Sequence, residues 1–118
     1  MSGQPPVING DGKQSMDFIH VSDIARANVL ALETNVNNQV FNLGTNKSTT
    51  VKQLADILIE ATGKRDIIPQ FTGKVSLVKE RRADYSKVRD MLGWEPRIDV
   101  KSGLTELAID IIENPEFY

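Results

Sequence analysis

Between Asp23 and Glu33 the chain carries Ile24, Ala25, Ala27, Val29, Leu30, Ala31 and Leu32, apolar positions that run nearly all the way round a helix. A helix of that kind must be covered on most sides. This is the strongest constraint that the sequence sets on its fold: something has to pack over both flanks of this segment. The chain offers 118 residues for the purpose, within the roughly 100–200 of a single domain, so one domain is expected over residues 1–118. A chain of this size buries roughly two-thirds of its unfolded surface. Its 40% hydrophobic and 25% charged residues are ordinary for a soluble globular domain and exclude global disorder.

Several classes of chemistry are excluded by what is missing. There is no cysteine, hence no disulfide framework, thiolate nucleophile or cysteine-built zinc site. The single histidine, His20, rules out a multi-histidine metal centre. No apolar run approaches the ~20 residues of a membrane span, and no basic segment followed by an apolar stretch reads as a signal peptide. A formal net charge of -2 argues against a nucleic-acid footprint. The expected setting is the cytoplasm.

The alternation of elements points to an α+β fold, a small mixed sheet of short strands with about four helices. Val7-Ile8 reads as a short strand and Asn9-Gly10-Asp11-Gly12 as a tight turn, with Gly10 to Lys13 taken as a hairpin connection rather than a phosphate loop. Phe18 to Val21 and Gln39 to Leu43 read as strands. Ser22 is expected to cap the helix from Asp23 to Glu33. Thr50 and Gln53 form a capping box ahead of a helix with Val51, Leu54, Ile57, Leu58 and Ala61 on one face, stopped by Gly63. Ile67 to Phe71 is extended, with Pro69 confining it to an edge or strand start. Asp84 or Ser86 opens a short helix through Leu92, and Gly93 ends it. Asp99 caps the last helix, whose inner stripe is Leu104, Leu107, Ala108 and Ile111. The strands are too few for a doubly wound nucleotide-binding sheet.

There is no glycine-rich dinucleotide cradle. Tyr85 is followed four residues later by Arg89 rather than lysine, so it lacks the cation partner for phenol acid–base work and reads as packing. His20 reads as a satisfied structural histidine. Asp17 and Asp23 flank one segment and suit a turn contact and a first-turn helix role. Lys79-Glu80-Arg81-Arg82 is the densest cationic stretch. It is either a solvated face or an anion site, because guanidinium forks match phosphate oxygens. On an extended chain Arg81 and Arg82 point opposite ways, so at most one faces a given pocket.

The run from Pro6 to Ala25, Pro-Val-Ile-Asn-Gly-Asp-Gly-Lys-Gln-Ser-Met-Asp-Phe-Ile-His-Val-Ser-Asp-Ile-Ala, resembles the start of the carboxy-terminal region of NAD-dependent nucleotide-sugar epimerases and dehydratases, the extended short-chain dehydrogenases/reductases of which UDP-glucose 4-epimerase is the familiar member. Val40-Phe41-Asn42-Leu43-Gly44, Ala83-Asp84-Tyr85-Ser86-Lys87 and Leu92-Gly93-Trp94-Glu95-Pro96 follow in the family's order, so the likeness runs over essentially the whole chain. The resemblance implies the substrate-binding part of such an enzyme without its amino-terminal Rossmann domain. That domain would hold NAD and the Tyr-x-x-x-Lys chemistry. The chain itself would then have no cofactor and no catalytic residue, would be a fragment of a larger isomerase-like enzyme, and would meet a nucleoside-diphosphate sugar weakly or not at all when alone. The missing domain would cover the apolar helix.

Carried over residue by residue, the family's strand along the nucleobase falls on Val7, Ile8 and Asn9. Its diphosphate-gripping arginine falls on Met16, which cannot grip a phosphate. A second phosphate arginine falls near Lys74, and in some branches an arginine shortly before the later aspartate falls on Arg81 or Arg82. Asp84 and Trp94 carry over as architecture. Two other readings compete: a weak, non-catalytic nucleotide-binding module, and an interaction domain docking a partner on an exposed apolar face. A mainly monomeric chain is expected, with no nucleic-acid or membrane partner.

Overall fold

The computed structural model describes residues 4–64, 66–73 and 79–117. In chain order the elements are β1 (Val7–Asn9), β2 (Ser15–Met16), α1 (Val21–Glu33), β3 (Thr49–Thr50), α2 (Val51–Ala61), β4 (Gln70–Thr72), β5 (Glu80–Arg81), α3 (Ser86–Leu92) and α4 (Val100–Glu113), closed by a 3-10 turn at Pro115–Phe117. The α+β class stands, but the strands form two small sheets instead of one. β1 pairs with β4 in parallel. β2 lies between β3, antiparallel, and β5, parallel. The Gly10 to Lys13 turn is therefore not a hairpin: β1 and β2 do not pair, and the turn hands the chain from one sheet to the other.

Two expected strands do not form. Phe18 to His20 is an irregular lead into α1, which already begins at Val21. Gln39 to Leu43 is likewise outside any strand, and its main chain has no backbone hydrogen bond to a described residue. A strand exists only through its neighbour, so an apolar alternation with no adjacent strand stays irregular.

Local signals mark the helices well. Thr50 Oγ1 accepts from Gln53 N at 3.1 Å and Gln53 Oε1 accepts from Thr50 N at 2.8 Å, the reciprocal capping box. Asp99 Oδ1 accepts from Lys101 N and Ser102 N at the start of α4. Gly93, left-handed at φ 66°, ends α3. Two caps differ from expectation. His20, not Ser22, caps α1. Tyr85 holds the N-cap position of α3, while Asp84 Oδ1 accepts from Ser86 N at 2.8 Å one residue outside it.

The core centres on Trp94, fully buried with Val88 and Ala27 and surrounded by Ile19, Leu30, Phe41, Leu43, Tyr85 and Leu92. Trp94 Nε1 donates to Asp23 O at 2.9 Å, and the Tyr85 ring meets the indole edge-on at 5.9 Å. Elsewhere α2 packs on α4. On α4, Ala108 is fully buried, whereas Leu107 from the expected inner stripe is 42% exposed.

The remainder is open. The accessible surface is 8368 Å², against about 6,400 Å² for a compact protein of this mass. The radius of gyration is 16.9 Å, against about 13.5 Å. The outer face of α1 accounts for part of this, with Val21 75% and Leu32 86% exposed. The cover demanded by the sequence of α1 is not supplied by the described residues. None of the described helices is long and apolar enough to cross a membrane.

Candidate functional site

The candidate residues are divided between the two sheets, with Val7, Ile8 and Asn9 on the first and Met16 and Arg81 on the second. In β1, Val7 and Asn9 are exposed and Ile8 is buried at 3%, as alternation along a strand requires. The Ile8 side chain is thus committed to the interior, and Val7 and Asn9 form the outer face. Asn9 is held on both sides: its Oδ1 accepts from Thr72 Oγ1 at 3.0 Å on β4, and its carbonyl accepts from Gln14 Nε2 at 2.8 Å just ahead of β2. The turn thereby ties the outer face of β1 to the strand that carries Met16.

Within the second sheet the register pairs Met16 with Arg81 and Ser15 with Glu80, in parallel. Paired residues project from the same side of a sheet, so Arg81 stands beside Met16. Arg82 follows the end of β5. Met16 is half-buried and both arginines are exposed. Lys74 lies outside the described residues.

One carboxylate that the sequence reading valued only as a turn contact organises this region. Asp17 accepts from Thr45 N (2.9 and 3.0 Å), Thr45 Oγ1 (2.5 Å), Asn46 N (2.9 Å) and Ala83 N (3.2 Å). It thus joins the exit of β2, the loop ahead of β3 and the segment that follows β5. Gly44 makes room for it: a Cβ there would stand 2.7 Å from Asp17 Oδ2 and 2.5 Å from Ala83 Cβ. The sequence signal was the Gly44-Thr45 pair, but its partner is 28 residues away.

Asp23 does the same for the other half of the chain. Its side chain is 2% exposed. Oδ2 accepts from Arg97 N at 2.9 Å and Ile98 N at 3.0 Å, and Oδ1 accepts from Arg26 Nη2 at 2.7 Å. Arg26 donates onward to Glu95 O and lies 5.7 Å from the Trp94 ring centroid. Burial pushes the Asp23 carboxyl up; the Ile98 and Arg97 amides and the Arg26 guanidinium outweigh it and hold the group below its ordinary value. Its role is therefore wider than a helix first turn.

His20 and Tyr85 behave as the sequence suggests, the first a helix cap with its hydrogen bonds made, the second packed against Trp94. Among the described residues no cluster of three histidine or acidic side chains could hold a metal ion. The glycine-bearing turn at Gly10 to Gly12 leads into β2 rather than a helix N-terminus, where a pyrophosphate would sit. Gly12 is closed off as well, since a Cβ there would meet Phe71 Cε1 at 3.0 Å. Arg81 offers an exposed guanidinium on one sheet, a group that suits an anion, and β1 offers an exposed strand face on the other.

Known proteins share this fold over part of their length. Residues 1–44 match the NAD dependent epimerase/dehydratase family. The chain is 32% identical over 113 residues to a dTDP-glucose 4,6-dehydratase of an Actinoplanes species, covering 90% of this chain and 33% of that protein. It is 34% identical over 102 residues to a UDP-glucuronate 4-epimerase of Thermodesulfobacterium geofontis, covering 86% and 31%. The crystal structure of a Thermotoga maritima UDP-glucose 4-epimerase with UDP-glucose superposes with a TM-score of 0.87 at 37% identity, over 96% of this chain and 36% of that one. Over the matched residues the chain is similar to a portion of NAD-dependent epimerase/dehydratase family proteins. It spans about a third of the length of the curated relatives it matches.

Proposed function

We propose that this chain is the carboxy-terminal, substrate-recognising subdomain of an NAD-dependent sugar-nucleotide epimerase or dehydratase, acting as a single unit over residues 1–118. The ligand class is a nucleoside-diphosphate sugar. Val7 and Asn9 offer the strand face for the base, and Arg81 the cation for the diphosphate. The carrying observation is the parallel register that sets Arg81 beside Met16. The family's first phosphate arginine falls on Met16, and the neighbouring strand brings a guanidinium to the same side of the sheet. The likeness to a structure holding UDP-glucose supports the same ligand class.

In this reading the chain binds and orients the substrate, and hydride and proton transfer belong to residues outside it. NAD is held elsewhere in the parent enzyme. Half a cleft buries too little of a ligand for tight binding, so the dissociation constant of the isolated chain is in the millimolar range, about -4 kcal/mol. Titration with UDP-glucose, followed by amide shifts, tests this. Shifts confined to Val7, Asn9, Met16 and Arg81, abolished by Arg81→Ala, are expected. Epimerisation of UDP-sugars by the chain with NAD alone, or binding unaffected by Arg81→Ala, would overturn it.

A further inference from the structure

His20 bridges two helices. Its Nδ1 lies 3.3 Å from Ser22 N and 2.7 Å from Ser22 Oγ. An amide N–H only donates, so Nδ1 presents a lone pair and the ring proton of the neutral imidazole sits on Nε2. Nε2 faces Glu106 Oε2 on α4 at 3.8 Å. The ring edge rests on Gly103 of α4, where a Cβ would come within 2.9 Å of His20 Cδ2. Glycine weakens a helix interior, and here it provides the notch in which the imidazole lies.

The surroundings carry one sign of charge. The groove beside the ring is lined on α4 by Glu106, Asp110 and Glu113. The adjoining cavity of about 260 Å³ is lined by Asp99 and by apolar residues including Phe18, Ile98, Leu104 and Leu107. No lysine or arginine lines either. On α1 itself, Asp23 turns its carboxylate to Arg26 and the amides of Arg97 and Ile98.

We propose that His20 is a proton-driven latch that exchanges the cap of α1 for a bridge to α4. Neutral, it accepts from the Ser22 amide and closes the first turn of α1. When Nδ1 takes up a proton, that lone pair is gone and the Ser22 N–H loses its acceptor. The Ser22 hydroxyl reverses its role and accepts from Nδ1–H. The new positive charge is opposed by the N-terminus of α1 and drawn to the carboxylate of Glu106. Histidine is the side chain that makes this change between about pH 8 and pH 5. The consequence is a first turn of α1 that loosens on acidification while its contact with α4 tightens. This latch is independent of the ligand reading.

Amide and imidazole nitrogen spectra recorded from about pH 8 to pH 5 test it. The Ser22 amide is expected to inflect together with the His20 ring. Its solvent exchange, corrected for the intrinsic pH dependence, should rise ~threefold or more. The Gln53 amide, capped by the non-titrating Thr50 hydroxyl, serves as the control and should not follow. His20→Asn keeps a capping side chain and should abolish the Ser22 inflection. A Ser22 amide that passes from pH 8 to pH 5 without inflection, or one that still inflects in His20→Asn, would refute the latch.

Discussion

Asp23→Asn is the sharpest test of how this chain holds together. The change keeps the size of the side chain and removes one charge. An asparagine can turn its Oδ1 toward the amides of Arg97 and Ile98, but its NH₂ then faces the Arg26 guanidinium, donor against donor. In the wild type that contact is a 2.7 Å ion pair whose acid is buried and whose base is 23% exposed. Breaking a fully buried pair costs roughly 3–5 kcal/mol; the partial exposure of Arg26 lets water recover some of it, leaving about 2–3 kcal/mol. A domain's whole stability is about 5–15 kcal/mol, so the loss is large. With a urea slope of about 1.5 kcal/mol/M, the midpoint should fall by about 1.3–2 M at pH 7, read by far-ultraviolet circular dichroism. The pH dependence has a definite sign. The folded carboxyl lies below its unfolded value, so its contribution is fully present above the ordinary aspartate range, about pH 3.9, and is lost as pH falls through the folded value. The gap between wild type and Asp23→Asn should therefore be constant from pH 7 to pH 5 and narrow below pH 4. Midpoints at pH 7 that agree within about 0.3 M, equivalent to 0.5 kcal/mol, would show that the Asp23 cluster does not join α1 to the loop ahead of α4.

Other substitutions probe separate parts of the structure. Gly44→Ala should destabilise by about 1–3 kcal/mol through overpacking, because the new methyl would meet Ala83 Cβ and Asp17 Oδ2; an unchanged urea midpoint would contradict that crowding. Thr50→Ala removes the reciprocal cap of α2 and should cost about 1 kcal/mol, seen as a lower melting temperature with little change in native helix content. Leu32→Lys, on the outer face of α1, should leave the unfolding midpoint of the isolated chain within about 0.5 kcal/mol and reduce concentration-dependent association in sedimentation; marked destabilisation would mean that this face is covered within the chain.

The parts of the fold legible in the sequence were those decided locally. The Thr50–Gln53 box, the Asp99 cap and the Gly93 stop each depend on residues within one helical turn, and all three are present. Sheet membership was not legible, since it depends on neighbours far along the chain. Gln39 to Leu43 has a strand's composition but no adjacent strand among the described residues, whereas Ser15–Met16 and Glu80–Arg81, too short to show a period, pair because the fold brings them together. The site followed the same division. That at most one of Arg81 and Arg82 could face a given pocket was readable from alternation. That Arg81 pairs with Met16 required the register. The Asp17 and Asp23 clamps were missed because their acceptor atoms serve main-chain amides, which leave no residue-type trace in the sequence.

Trp94 is the single tryptophan of the chain and is completely shielded from solvent, with Tyr85 edge-on and the Arg26 guanidinium nearby. Its emission therefore serves as a built-in optical gauge of one cluster, the packing of α1 and α3 around the indole. Fraying of α2 or of the two small sheets would leave that signal dark to the event. A fluorescence-detected transition that precedes or trails the loss of helical ellipticity would accordingly mark the boundary between the indole cluster and the rest of the chain as a seam in its cooperativity.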